Sequence, residues 1–193
     1  ERALAEGHRL SLGLRDLEAL KRTALDPHLA GSDRVLLCPY AAEDPAAAQA
    51  WVEATNEHFG GFDSVIHSAG IFSRVPLLFE ESEQPEIAHT INVNLMGPWW
   101  LTRAAWPQLA SQGEGRIQVL VSTSGKRSKG RLAAYSASKF ALLGLCQTMR
   151  NEGWAAGIRV TAICPGWVNT DMAAAVRRGP SQSWPTQSME AEA

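Results

Sequence analysis

The feature of the sequence that most constrains its fold is a regular alternation of short apolar runs with longer amphipathic stretches. Five runs rich in Val, Ile and Leu have the composition of strands, and a segment with helical features separates each run from the next. This alternation predicts an α/β fold, with a doubly wound parallel sheet and right-handed crossover connections.

The pattern also gives approximate element bounds. The predicted strands are residues 9–14, 34–40, 63–67, 116–122 and 158–164. The predicted helices are residues 17–25, 46–58, 91–109 and 133–152. Gly97-Pro98 predicts a bend in the third helix. The run at 116–122 is apolar enough for a central strand buried on both faces, and Trp154 is expected in the core.

Composition and charge exclude several classes of protein. The chain of 193 residues is 45% hydrophobic and 20% charged, which is typical of one packed domain spanning residues 1–193. A net charge of −2 argues against nucleic-acid and anionic-membrane partners. No apolar run approaches the roughly 18 residues of a membrane span.

The cysteines indicate the cellular compartment. Cys38, Cys146 and Cys164 are odd in number and lack metal-type spacing, so no metal site is predicted. All three lie in apolar segments, where buried reduced thiols are expected. Reduced thiols favour a cytoplasmic protein.

Three side chains with acid/base potential lie close together along the chain. Tyr135 and Lys139 are four residues apart and so share one helix face, while Ser122 ends the preceding strand. The carboxyl ends of parallel strands form the ligand-binding edge of an open sheet. A nearby ammonium lowers a phenol pKa from its usual value of about 10. The group is therefore a candidate acid/base site, although a Tyr-x-x-x-Lys pair also occurs on ordinary surface helices.

Five motifs, in this order and at this spacing, resemble the short-chain dehydrogenase/reductase family. They are His67-Ser-Ala-Gly70, Asn94-Leu-Met-Gly97, Ser122, Tyr135-x-x-x-Lys139 and Pro165-Gly166-x-x-x-Thr170. The resemblance extends over about residues 3–172. It implies a Rossmann-type sheet, a nicotinamide dinucleotide cofactor, and hydride transfer between nicotinamide and a carbonyl or alcohol carbon.

The resemblance also implies catalytic roles. Tyr135 would protonate the carbonyl oxygen during reduction. Lys139 would lower the pKa of Tyr135 and hold the nicotinamide ribose. Ser122 would orient the substrate oxygen, and Asn94 would help to hold a water that relays protons to Lys139.

Further positions are implied to contact the cofactor. Besides Tyr135 and Lys139, they are Ser68, Ala69 and Gly70 beside the adenosine, and Pro165, Gly166, Val168 and Thr170 beside the nicotinamide. The chain has His67-Ser68 where the family usually has an asparagine pair. We expect His67 to be a strand-end residue near the cofactor rather than a base.

Arg15 indicates which cofactor is used. At the end of the second strand of such a fold, an acidic residue binds the ribose 2′-hydroxyl, whereas an arginine accommodates a 2′-phosphate. Leu14 is followed directly by Arg15, which favours NADP(H) over NAD(H). The alternative is that Arg15 pairs on the surface with Asp16 or Glu18.

Two parts of the family pattern have no counterpart in the sequence. The glycine-rich phosphate turn should precede Arg15 by roughly 20 residues, and the strand before it is central in the order 3-2-1-4-5-6. We therefore expect a slot between the strands at 9–14 and 63–67. A last helix and strand are also not found, so we expect the sequence to be a fragment or the ordered part of a longer chain. Residues 173–193 are expected to form a mobile substrate lid.

The leading interpretation is an NADP(H)-dependent oxidoreductase acting on a carbonyl or alcohol. By resemblance, it is expected to form a homodimer or homotetramer through the helices at 91–109 and 133–152. One alternative is a non-catalytic member of the same fold that binds a nucleotide or a partner. Another is an epimerase or dehydratase that also uses Tyr-x-x-x-Lys.

Overall fold

Five strands form the framework of the chain. A computed structural model describes residues 2–20, 32–128, 130–170 and 172. The strands are β1 (Leu10–Leu14), β2 (Val35–Pro39), β3 (Ser64–His67), β4 (Arg116–Leu120) and β5 (Arg159–Ile163). Each strand lies within two residues of its predicted bounds.

Helices connect the strands. They are α1 (Arg2–Ala5), α2 (Leu17–Leu20), α3 (Pro45–Phe59), α4 (Gln84–Ile91), α5 (Gly97–Gln112) and α6 (Ala133–Gly153). The predicted helix at 17–25 is described only as far as Leu20, and the expected lid at 173–193 lies outside the described residues. None of the helices that the structure describes is long and apolar enough to cross a membrane.

The strands form two parallel sheets. β1 pairs with β2 in one sheet, and β3, β4 and β5 follow one another in the second. Leu10 faces Val35, Ser64 faces Arg116, and Leu120 faces Ile163. The parallel pairing agrees with the α/β prediction. Within the described residues β1 and β3 belong to separate sheets, as expected from the predicted slot.

The main core lies on one face of the second sheet, against α3, α5 and α6. Leu109 of α5, Ile117 of β4 and Leu142 of α6 are each no more than 1% exposed. The opposite face of β4 carries the exposed Arg116 and Gln118. Burial on both faces, for which the run at 116–122 is apolar enough, is therefore incomplete in the described part of the chain.

The helix before β4 is longer than predicted and changes its winding. It begins at Gln84 rather than near Ile91, and residues 92–96 form a π-helical turn before α5. The N–H of Gly97 donates to the carbonyl of Asn92, five residues earlier. Pro98 lies in the first turn of α5, where its missing N–H is tolerated. The structure therefore confirms the predicted irregularity at Gly97-Pro98, whereas the predicted start of the helix is wrong.

The predicted burial of Trp154 is wrong, whereas the predicted state of the cysteines is largely confirmed. Trp154 is 61% exposed, and the Arg159 guanidinium stacks 3.9 Å from its ring centroid. The prediction of a core position is therefore wrong: the ring lies at the surface, where the guanidinium stacks on it. All three cysteines are free, as predicted, although only Cys38 and Cys146 are buried.

His67 joins the end of β3 to α5. Its Nε2 atom lies 2.9 Å from Thr102 Oγ1, and its side chain is buried. Burial lowers the pKa of His67 to about 4, so the ring is neutral in the folded protein at pH 7. A neutral, buried and hydrogen-bonded imidazole agrees with the expected non-catalytic strand-end role.

The folding stability of the chain should therefore fall in mild acid. The unfolded His67 binds a proton near pH 6.5, whereas the folded one does so only near pH 4. The neutral His67 ring therefore makes its full contribution to the free energy of unfolding above pH 6.5. This contribution is lost progressively as the pH falls to 4. The loss is expected to be up to roughly 3 kcal/mol.

Urea unfolding between pH 7 and 4 measures this loss. His67→Gln should flatten the pH dependence of the free energy of unfolding, while His58→Gln, at an exposed position on α3, should leave it unchanged. Equal pH slopes for the wild type and His67→Gln would contradict the prediction.

Candidate active site

Ser122, Tyr135 and Lys139 converge where β4 ends. Ser122 lies two residues beyond β4, and the other two residues lie in the first two turns of α6. Tyr135 is 9% exposed and Lys139 is 5% exposed. The structure therefore places these predicted catalytic side chains together, in a largely desolvated position at the carboxyl edge of the sheet.

The turn that follows Ser122 orients its hydroxyl. Ser122 Oγ accepts a hydrogen bond of 3.0 Å from the N–H of Ser124, in the short turn Thr123–Gly125. Its own hydroxyl proton therefore stays available for donation, and hydrogen bonding to Ser122 acts to lower the pKa of Tyr135. A substrate oxygen placed between the two hydroxyls would meet two hydrogen-bond donors.

Burial dominates the electrostatics of the tyrosine. It raises the pKa of Tyr135 above the usual value, and the hydrogen bond to Ser122 opposes this shift. The Nζ atom of Lys139 lies 5.8 Å from the tyrosine ring centroid. Desolvation of the phenol is thus the largest effect on the Tyr135 pKa, and the expected lowering of that pKa by Lys139 stays a prediction.

Lys139 is itself shifted by burial. Desolvation lowers its pKa to about 8, and the Cys146 and Cys164 thiols oppose the shift. The ammonium donates a hydrogen bond of 3.2 Å to the carbonyl of Leu120. Lys139 thus remains largely protonated at neutral pH.

Asn94 is a buried connection behind the site. Its Oδ1 accepts from the N–H of Ile71 at 2.8 Å, and its Nδ2 donates to the carbonyl of the same residue at 2.9 Å. Nδ2 also donates to Ser138 Oγ at 3.0 Å, and that hydroxyl donates to the carbonyl of Tyr135 at 2.7 Å. Ser138 was not predicted as a site residue, although a serine inside an apolar helix is itself a signal, since serine is a modest helix former.

The turn after β3 approaches α6, the helix that carries Tyr135 and Lys139, closely. A Cβ atom on Gly70 would lie 3.3 Å from Asn94 Oδ1 and 3.6 Å from Lys139 Nζ. The preceding Ser68 and Ala69 are exposed. The small Gly70 therefore keeps the space beside the lysine open.

The segment after β5 is fastened to the serine turn. The carbonyl of Pro165 accepts a hydrogen bond of 2.9 Å from the N–H of Thr123, the residue after Ser122. Gly166, Val168 and Thr170 follow at exposed positions. The start of the predicted nicotinamide segment thus lies beside the turn that carries Ser122.

Arg15 belongs to the other sheet. It is exposed and directly follows β1. It lies at the carboxyl end of its strand, as predicted for a residue that reads the cofactor ribose. In the described part of the chain, no group of three His, Cys, Asp or Glu side chains is arranged to hold a metal ion.

These features define an α/β protein with a Ser–Tyr–Lys site at the carboxyl edge of a parallel sheet. The family model for short chain dehydrogenases matches residues 1–181. The chain belongs to this family.

Individual relatives agree with this assignment. The chain is 34% identical over 174 residues to agropine synthesis reductase of Rhizobium rhizogenes, covering 90% of this chain but 39% of that protein. Levodione reductase has a TM-score of 0.82 and 30% identity, with 91% of this chain and 68% of that chain covered. A variant of actinorhodin polyketide ketoreductase with NADPH has a TM-score of 0.81 and 30% identity, with 91% and 67% covered. The solved structures confirm the Rossmann-type fold class.

The geometry of the serine turn predicts a sensitive glycine. A Cβ atom on Gly125 would lie 2.7 Å from the carbonyl oxygen of Lys139 and 2.8 Å from Val121 Cγ1. Gly125→Ala should therefore push the turn away from α6 and destabilise the fold by roughly 1–3 kcal/mol.

Gly144→Ala is the matched control, since a Cβ there meets nothing within 4 Å. In a helix interior this change should stabilise by roughly 0.5–1 kcal/mol. Chemical denaturation measures both variants, and a Gly125→Ala protein as stable as the wild type would disprove the tight contact.

Proposed function

We propose that the chain is a single NAD(P)-binding domain of an oxidoreductase that uses NADP(H). The reaction is hydride transfer between the nicotinamide and a carbonyl or secondary alcohol. The observation that carries this proposal is the convergence of Ser122 with the buried Tyr135 and Lys139 where β4 ends, with the Lys139 ammonium 5.8 Å from the tyrosine ring centroid. The chain covers only 39% of agropine synthesis reductase, so the activity of the whole protein is part of the proposal.

The described residues fit a nicotinamide cofactor on one side of the site. Gly70 leaves space beside Lys139, and the ammonium uses one of its three protons on Leu120. The others would hold ribose hydroxyls, and Pro165, Gly166, Val168 and Thr170 would contact the nicotinamide. Ser68, Ala69 and Gly70 would lie beside the adenosine. A bound cofactor supplies or accepts the hydride.

The proton chemistry belongs to the chain itself. During reduction, the Tyr135 hydroxyl donates its proton to the carbonyl oxygen as negative charge develops there. Ser122 donates a hydrogen bond to the same oxygen and keeps it in line with the phenol. The Lys139 ammonium stabilises the phenolate that remains.

Asn94 would take part in a proton relay through its backbone carbonyl. Both protons of its side-chain amide are used, by Ile71 and Ser138. Pro98 lacks the N–H that would bond to the Asn94 carbonyl in a regular α-helix. The freed carbonyl would hold the water that relays protons towards Lys139.

Tyr135→Phe tests the acid/base role. The chain has two tyrosines, and the buried Tyr40, which packs 4.9 Å from Trp51 between ring centroids, provides the control. In the full-length protein with a carbonyl that it reduces, Tyr135→Phe should lower kcat by about 10²–10⁴-fold.

Tyr40→Phe should leave kcat nearly unchanged. NADPH oxidation is followed by absorbance, and retention of the full rate by Tyr135→Phe would overturn the assigned role. A full-length protein that binds neither NADP(H) nor NAD(H) in calorimetry would instead favour a non-catalytic partner-binding member.

Arg15→Glu tests the cofactor preference. Loss of a charge-assisted contact to the 2′-phosphate should lower the ratio of kcat/KM for NADPH to that for NADH by about tenfold or more. Arg103→Gln, an exposed position on α5, should leave the ratio unchanged. If Arg15→Glu leaves it unchanged too, Arg15 does not read the phosphate.

We also propose a cytoplasmic homodimer or homotetramer that associates through α5 and α6. The free thiols suit a reducing compartment. Trp99 on α5 is 48% exposed and Phe140 on α6 is 45% exposed, as expected for residues buried by a second copy. In analytical ultracentrifugation, the double variant Trp99→Glu/Phe140→Glu should have a smaller particle mass than the wild type. The control Trp154→Glu should keep the wild-type mass. A monomeric wild type would refute the assembly.

A further inference from the structure

Ser138 occupies a buried position between the catalytic helix and Asn94. Its exposure is 0%, and its hydroxyl takes part in two hydrogen bonds. It accepts from Asn94 Nδ2 at 3.0 Å and donates to the carbonyl of Tyr135 at 2.7 Å. One hydroxyl thus bonds both to the backbone of the candidate acid/base and to the asparagine behind it.

The orientation of the Asn94 amide depends on this contact. The amide bonds to both the N–H and the carbonyl of Ile71, which holds the loop beside Gly70. A Cβ atom on Gly70 would in turn lie 3.6 Å from Lys139 Nζ, so this turn borders the space beside the ammonium. If the Asn94 amide moved, the loop at Ile71 would move with it, and the space between Gly70 and Lys139 would change.

Removal of the hydroxyl would leave one Asn94 N–H without its partner in a buried position. A buried donor without a partner is unfavourable, so the amide would rotate or admit water. Rotation would break the paired bonds to Ile71 and release the Gly70 turn from α6.

We infer that Ser138 is a positioning residue, which sets the distance between the Gly70 turn and the Tyr135–Lys139 helix. It touches neither the substrate nor the reacting atoms, and acts through the Asn94 amide. This inference rests on the proposed oxidoreductase function for its kinetic consequence, but the contact itself can be tested without activity.

Ser138→Ala in the full-length protein is the first test. With kcat expressed per folded molecule, the change should lower kcat by about tenfold or more because the reacting groups are misplaced. The KM for the carbonyl substrate should change much less than kcat.

Ser136→Ala is the matched control on the same helix. Ser136 is 3% exposed, and its Oγ has no hydrogen-bond partner within the described residues. Its removal should leave kcat within about twofold of the wild type, because no bond is lost. An equal loss in both variants would show that helix packing matters rather than the Ser138 hydroxyl.

Ser138→Cys covers the case in which the alanine variant does not fold. A thiol is close in size to a hydroxyl but is a weak donor and acceptor. The cysteine variant should also lose kcat, and full kcat in a folded Ser138→Cys protein would overturn the inference.

A spectroscopic measurement separates this inference from the proposed function. In protein labelled with ¹⁵N-asparagine, the Asn94 side-chain protons should exchange slowly with solvent in the wild type and in Ser136→Ala, but rapidly in Ser138→Ala. Slow exchange in Ser138→Ala would overturn the inference even if the protein is an active reductase. If the wild type reduces no carbonyl while the exchange pattern is as expected, the proposed function fails and the structural role of Ser138 stands.

Discussion

The buried amide of Asn94 is the interaction on which the arrangement of the site depends. It fastens the loop at Ile71 to the π-helical turn and, through Ser138, to the helix that carries Tyr135. These segments are far apart in sequence. A side-chain amide can join them because it offers one acceptor and two donors, which match the N–H and carbonyl of Ile71 and the serine hydroxyl.

Desolvation is the second constraint on the site. Burial raises the pKa of Tyr135 and lowers that of Lys139 to about 8, so it favours the uncharged form of both groups. The hydrogen bond from Ser122 opposes the effect on the tyrosine. The spacing of Tyr135 and Lys139 predicted their common face, but not the sign of the tyrosine shift, because spacing carries no information on burial.

The elements themselves were largely predictable. Strand bounds followed from short apolar runs, and the irregularity near Gly97-Pro98 followed from the missing proline N–H. The position of Trp154 and the exposed face of β4 were not predictable, since each depends on which other element covers the surface. The tight packing at Gly125 could not be predicted either, because its close approach to the carbonyl of Lys139 is a contact between segments that are distant in sequence.

The sequence by itself determined the α/β class, the family and the identity of the Ser122, Tyr135 and Lys139 group. These follow from local periodicity and from fixed spacings along the chain. Only the tertiary structure decided that Ser138 is the partner of Asn94 and that the Asn94 amide bonds to both backbone polar groups of Ile71. Hydrogen bonds and desolvation act between groups close in space, and that proximity exists only once the chain has folded.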